Sequence, residues 1–140
     1  MDNSYFDIVQ LAKREYARML EPVCKQYALT RNEVDILLFL YNNPQYDRAT
    51  DIVSIRGIAK SHVSLSVGTL EEKNLLCRKE HSTDRRTIRL ELTQTCQQIA
   101  REAHALQESF FQSIHQGITP EEMEVWQRVR KKIADNINKL

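Results

Sequence analysis

Basic side chains concentrate in one stretch of this sequence, between residues 73 and 89. The whole 140-residue chain carries a net charge of only +1, yet this stretch holds six basic residues against two acidic ones. The basic residues are Lys73, Arg78, Lys79, Arg85, Arg86 and Arg89, and the acidic ones are Glu80 and Asp84. A local positive excess is suited to binding nucleic-acid phosphates. It is also typical of a solvated hairpin, and charge alone favours that second interpretation.

A serine-rich segment lies directly before the basic stretch, at residues 60–68. If residues 59–74 form a helix with Val63, Val67 and Leu70 facing inward, its other side is small and polar. The expected outward-facing and flanking side chains are Lys60, Ser61, His62, Ser64, Leu65 and Gly68. Hydroxyls and an imidazole can form hydrogen bonds with base edges, and a leucine can contact a thymine methyl group. Small residues, among them Ser66, would let the helix approach a groove closely, but a serine run also simply marks helix starts.

Hydrophobic periodicity predicts the elements that position these side chains. Apolar residues at every third or fourth position predict a long first helix at about 4–27. Thr30 and Glu33 form a capping-box pattern that opens a second, very apolar helix. Asp47 is expected to cap a third helix, which Gly57 closes.

The pattern changes after residue 74. Two short runs, at 75–80 and 87–92, predict a β-hairpin with a polar, basic tip, because the second run alternates strictly between apolar and polar residues. Thr93 is expected to cap a fifth helix, which ends at Gly117. A second capping box, beginning at Thr119, opens a sixth helix.

The element order α-α-α-α-β-β-α-α predicts a mainly α fold with a small β-hairpin wing, a winged helix-turn-helix. We expect residues 29–92 to form this lobe, within a single structural domain. Residues 1–28 and 93–140 would then supply dimerisation helices. The apolar surface of three long amphipathic helices is larger than so small a core can bury. An obligate twofold dimer is therefore favoured over a monomeric bundle.

Residues 29–93 resemble the MarR family of winged helix-turn-helix transcriptional regulators. The motifs that carry the resemblance are, in order, Leu29-Thr30-x-x-Glu33, Asp51-Ile52-Val53, Gly57-Ile58-Ala59-Lys60-Ser61-x-Val63-Ser64, Leu70-Glu71-x-Lys73-x-Leu75-Leu76-x-Arg78 and Asp84-Arg85-Arg86-x-Ile88-x-Leu90-x-Leu92-Thr93. The resemblance implies a homodimer that binds an inverted-repeat operator in double-stranded DNA, as a repressor that responds to a ligand or to stress. The fourth helix would lie in the major groove and the wing would reach the adjacent minor groove.

The resemblance assigns Asp84, Arg85 and Arg86 to the minor groove. A guanidinium is planar and permanently charged, which suits a narrow, negative groove, and Asp84 could orient Arg86 by a bidentate pair. The expected phosphate contacts are Arg56, Lys73, Lys79 and His81, with Arg31 and Arg48 as weaker candidates. Leu65 stands where many family members have arginine, so the operator is expected to be A·T-rich or read by its shape.

Members of the family often respond to phenolic or lipophilic ligands, to oxidants or to metals. Tyr16, Met19, Tyr27 and Phe39 are candidates to line a ligand pocket, although aromatic residues at helical spacing are more typical of a core. Cys24, near the end of the first helix, is a candidate redox sensor, but an apolar setting would make its thiol inert. We expect no metal site, because i, i+4 pairs such as His104 and Glu108 usually lie on a surface.

Composition excludes several other classes of protein. Hydrophobic residues make up 41% and charged residues 28%, and no apolar run approaches the ~20 residues that a bilayer crossing needs. No signal peptide is expected, and three scattered cysteines favour a reducing cytoplasm. The motifs of nucleotide-binding, hydrolytic and metalloprotease enzymes are missing, so we expect neither catalysis nor a cofactor. The alternative function is a winged-helix module that binds an acidic protein partner.

Overall fold

The computed structural model describes residues 3–81 and 84–140, and for residues 81 and 84–86 it describes the backbone alone. The helices and strands are α1 (Ser4–Tyr27), α2 (Arg31–Asn42), α3 (Ala49–Asp51, continued by a π-helical turn, Ile52–Arg56), α4 (Lys60–Glu72), β1 (Leu76–His81), β2 (Asp84–Leu92), α5 (Gln94–Ile114) and α6 (Pro120–Ile137). This order confirms the predicted winged helix-turn-helix fold. No helix in the described part of the chain is long and apolar enough to cross a bilayer.

Two capping boxes fix the starts of α2 and α6, as the sequence predicted. At α2, the Thr30 hydroxyl accepts a hydrogen bond from the Glu33 amide at 3.2 Å, and the Glu33 carboxylate accepts one from the Thr30 amide at 3.3 Å. Thr119 and Glu122 repeat the arrangement at α6, at 3.1 and 2.9 Å. These bonds satisfy amides that would otherwise lack a partner at a helix start.

The predicted cap of the third helix is wrong. Asp47 does not cap it, because its carboxylate accepts a hydrogen bond from the Arg89 guanidinium of β2 at 3.1 Å. The N-cap residue is Arg48 instead, so the helix begins at Ala49. The Asp51 carboxylate accepts a hydrogen bond from the Arg48 amide at 3.1 Å. Its predicted end is correct, because Gly57 follows the π turn in the left-handed region, at φ 80°.

The core surrounds α2, in which every residue from 33 to 40 is buried. The inner face of α4 packs on it through Val63, Val67 and Leu70, as the sequence predicted. Ser66 is also on that buried side and is only 6% exposed. The interpretation of Ser66 as part of the groove-facing surface is therefore wrong.

The β-hairpin forms the wing. It is antiparallel, with Leu76 opposite Leu92 and Glu80 opposite Ile88, and its register shifts next to His81. Strand β2 begins three residues before the predicted position of 87, at Asp84. The Leu90 amide donates a hydrogen bond to the Asp47 carbonyl at 2.7 Å, which joins the base of the wing to the loop after α2.

The chain divides into two compact units, Met1–Phe110 and Phe111–Leu140. The first holds α1 to β2 and most of α5, and it contains the whole buried core. The second holds the end of α5 and all of α6, in which no residue is buried.

Candidate nucleic-acid interface

Helix α4 presents a continuous exposed surface on the side opposite the core. This surface, called the α4 outer face below, consists of Lys60, Ser61, His62, Ser64 and Leu65, all of which are exposed. Gly68, the sixth predicted residue, is only half-buried. The outward orientation of the predicted major-groove residues therefore matches the sequence argument, because Val63, Val67 and Leu70 take the inner side of the helix.

His62 is held from the side by helix α2. The Asn32 amide nitrogen lies 3.4 Å from His62 Nδ1. When that amide donates to Nδ1, the proton of a neutral imidazole is on Nε2, which is then a hydrogen-bond donor. Sequence reasoning missed Asn32, because the contact joins residues thirty positions apart.

Lys73, which the sequence predicts to be a phosphate contact, is exposed but has partners within the chain. Its ammonium donates a hydrogen bond to the Ala28 carbonyl at 2.7 Å and lies 3.7 Å from the Glu33 carboxylate. The Glu33 side chain is only 3% exposed, whereas that of Lys73 is 37% exposed. Lys73 therefore connects the segment after α4 to the junction between α1 and α2.

Arg56 is also paired within the chain. Its guanidinium lies 3.3 Å from the carboxylate of Asp35, a buried residue of α2, and Arg31 lies 3.7 Å from the same oxygen. Burial raises the pKa of Asp35, and the two guanidinium groups oppose that rise. Both arginines are partly exposed, so this arrangement holds two cations at the surface beside the turn that leads into α4.

The wing carries paired basic side chains on its described part. Lys79 contacts Glu91 across the two strands at 2.7 Å, and the carboxylate raises the pKa of Lys79. Arg78 reaches back to Glu71 of α4 at 3.2 Å. The predicted site residues at the distal end, which are His81, Asp84, Arg85 and Arg86, have side chains that lie outside the described residues.

A polar helix surface beside a basic hairpin is the arrangement of winged-helix DNA-binding proteins. A family model described as the MarR family matches residues 29–87, which include α2, α3, α4, β1 and the start of β2. The match identifies the winged-helix lobe, residues 29–87, as similar to the MarR family.

Solved structures of MarR-family regulators share the fold of this chain. A MarR-family transcriptional regulator from Listeria monocytogenes, complexed with 26mer DNA, is 22% identical with a TM-score of 0.82, over 98% of this chain and 90% of that one. MepR of S. aureus, in a DNA complex, is 20% identical with a TM-score of 0.78, over 95% and 93%. BpsR of Bordetella bronchiseptica, whose DNA binding is described as regulated by 6-hydroxynicotinic acid, is 20% identical with a TM-score of 0.69, over 94% and 98%.

The residues predicted to line a ligand pocket lie in or against the core. Phe39 is buried, and Tyr16, Met19 and Tyr27 pack against the core cluster. The Tyr27 hydroxyl donates to the Glu102 carboxylate at 2.7 Å. Neither of the two cavities described for the chain is lined by any of these four residues. A ligand site at these positions stays a prediction.

One glutamine of α5 joins three helices next to this cluster. The Gln107 amide donates a hydrogen bond to the Tyr16 hydroxyl of α1 at 2.8 Å and accepts one from Asn42 of α2, also at 2.8 Å. Burial raises the pKa of Tyr16, so the phenol remains protonated and able to donate in turn. Periodicity alone gives no signal for this bridge, because its three members lie far apart in the chain.

An open groove of about 640 Å³ runs between the end of α1, the start of α2 and α4. Cys24, His62 and Leu65 are among its lining residues, so it adjoins the α4 outer face. Burial, with a contribution from the charge of Asp35, raises the pKa of the Cys24 thiol above its usual range. A thiol that remains protonated is a poor nucleophile, which disfavours the redox role considered for Cys24.

Proposed function

We propose that this MarR-like protein regulates transcription by binding an inverted-repeat DNA operator as a homodimer, and that it acts as a repressor. The observation that carries the proposal is the α4 outer face, a row of polar and basic side chains with one leucine, exposed beside the wing of a MarR-like fold. In this arrangement each α4 enters a major groove and each wing reaches the neighbouring minor groove.

Exposed apolar residues support the homodimer. In the first half of α1, Tyr5, Phe6 and Ile8 are all more than half exposed. In α6, Trp126 is 50% exposed and Val129 is 44% exposed. Large exposed apolar surfaces usually mark an interface. We therefore assign residues 1–28 and 93–140 to dimerisation and residues 29–92 to DNA binding.

Electrostatics support DNA as the partner. Lys60, at the first position of α4, adds a cation to the positive end of the helix dipole, which favours a phosphate. Arg31 and Arg56 are held at the surface by Asp35. We assign the wing residues Arg85 and Arg86 to the minor groove and its phosphates, with Asp84 orienting Arg86.

A small-molecule or stress signal would release the operator. The regulation of BpsR by 6-hydroxynicotinic acid provides a precedent within the same fold. The chemical class of the effector for the present protein is left to a screen, because no described cavity coincides with the predicted aromatic site. We place the protein in the cytoplasm, where its DNA target is accessible.

Selection from a pool of random DNA duplexes tests the proposal directly. We expect an inverted repeat whose half-sites are about one helical turn apart, bound by two copies of the chain. Binding should weaken steeply as salt rises, because phosphate contacts release counterions. Failure to retain any duplex at low ionic strength, with retention of an acidic protein instead, would show that the module binds protein.

A further inference from the structure

Leu65 is the most exposed large apolar residue of α4, with 71% of its surface accessible. It is the last residue of the α4 outer face and lies near the middle of the helix, away from its buried side. A single exposed leucine is ordinary on a protein surface. What makes Leu65 informative is the chemistry of its neighbours on the same face.

The neighbours of Leu65 are short. Ser61 precedes it by four positions and Gly68 follows it by three, so both lie beside it on the helix surface. A Cβ atom built on Gly68 would meet nothing within 4 Å, so the space next to Leu65 is open. The Thr69 hydroxyl, one turn further on, donates to the Leu65 carbonyl at 3.1 Å and is directed at the helix itself. Leu65 therefore projects beyond its short neighbours, and this part of the helix can approach a base pair closely.

Apart from His62, whose Nε2 can donate to a base acceptor, the polar side chains of the same face discriminate weakly between bases. The hydroxyls of Ser61 and Ser64 can either donate or accept, so they can pair with any base edge. The face has no arginine, and Lys60 lies at the first position of the helix, where phosphates are favoured. The bidentate arginine contact that selects guanine is consequently missing from this face. The C5-methyl group of thymine is the apolar feature that a leucine can recognise in the major groove.

We propose that Leu65 determines the base preference of α4 by packing against thymine methyl groups, so that each half-site contains a required thymine. The inference rests on the proposed DNA-binding function and specifies the sequence class that it reads. Burial of one methyl group corresponds to about a fourfold change in affinity. In a symmetric operator, where both half-sites contribute, the change becomes about fifteenfold.

Deoxyuridine substitution tests this inference, because it removes only the methyl group and leaves every hydrogen-bonding atom in place. Each thymine of the selected operator is replaced in turn, in both half-sites, and affinity is measured by fluorescence anisotropy. We expect one or two symmetric positions at which the wild-type protein loses about fifteenfold. Leu65→Ala should bind the thymine and deoxyuridine duplexes equally, whereas Leu65→Met, which keeps an apolar side chain, should still prefer thymine.

Ile55→Ala is the matched control, because Ile55 is an exposed apolar residue, at 52%, in the π turn outside α4. Ile55→Ala should bind the deoxyuridine duplex more weakly than the thymine duplex, to the same extent as the wild type. Two results would refute the inference while leaving DNA binding intact. In the first, the wild type binds an operator but no deoxyuridine substitution lowers its affinity. In the second, Leu65→Ala still binds the thymine duplex more tightly than the deoxyuridine duplex. If no duplex is selected at all, the proposed function fails and the inference fails with it.

Discussion

Replacing Lys73 with methionine separates two roles that the sequence does not distinguish. As a phosphate ligand, Lys73 would affect DNA binding alone. In the structure its ammonium instead donates to the Ala28 carbonyl and lies beside the buried Glu33 carboxylate, at 2.7 and 3.7 Å. We therefore expect Lys73→Met to reduce both the free energy of unfolding and the affinity for DNA.

The size of the effect follows from the two contacts. Removing one partner of a fully buried ion pair costs 3–5 kcal/mol. The Lys73 side chain is 37% exposed, so water can replace part of its interaction with Glu33. We therefore expect a loss of about 1–2 kcal/mol, including the lost hydrogen bond to the Ala28 carbonyl. The α1–α2 junction would then hold α4 less firmly, so we expect operator affinity to fall as well.

Two measurements distinguish a phosphate contact of Lys73 from a structural role. Urea unfolding reports the stability, and operator affinity at several salt concentrations reports the number of phosphate contacts. Losing a phosphate contact lowers the salt slope by about 0.9, whereas losing a positioning contact leaves the slope unchanged. The matched control is Lys60→Met, at an exposed position, which should lower the slope and leave stability unchanged. A normal stability for Lys73→Met together with a slope lower by about one would refute our reasoning.

Three further predictions concern the wing, the dimer and the thiol. Arg86→Ala should leave the protein dimeric but weaken operator binding more than about a hundredfold and lower the salt slope by about one unit; unchanged affinity would exclude the wing from the interface. Trp126→Glu should shift sedimentation from dimer to monomer, because it places a charge on an exposed apolar face of α6, and a variant that remains dimeric would argue against this face. Cys24→Ser should release DNA at the same peroxide concentration as the wild type, because burial raises the pKa of the Cys24 thiol. The reactivity of the thiol should increase only at alkaline pH. A variant that stays bound to DNA at peroxide concentrations that release the wild type would contradict this prediction.

Local signals in the sequence predicted most of the fold. The Thr30 and Thr119 capping boxes each depend on residues three positions apart, and both appear in the structure. The left-handed Gly57 likewise ends the π turn where a glycine was needed. Such features are short-range, so the sequence alone determines them.

Contacts between distant residues were not predictable in the same way. Aspartate is a residue type that often caps helices, but Asp47 pairs with Arg89, forty-two positions away. Lys73 contributes to a basic stretch in the sequence, but its position next to Glu33 follows from how α4 packs on α2. Charge counts cannot distinguish a cation that faces solvent from one that already has an internal partner.

Helix α2 is attached to both of the proposed DNA-contacting elements. Its first turn holds Lys73, just after α4, through Glu33, and the loop at its other end holds β2 through two contacts of Asp47. A rotation of α2 would thus displace the reading helix and the wing in concert. An effector that acts on this one helix could abolish operator occupancy abruptly, without touching any DNA-contacting side chain.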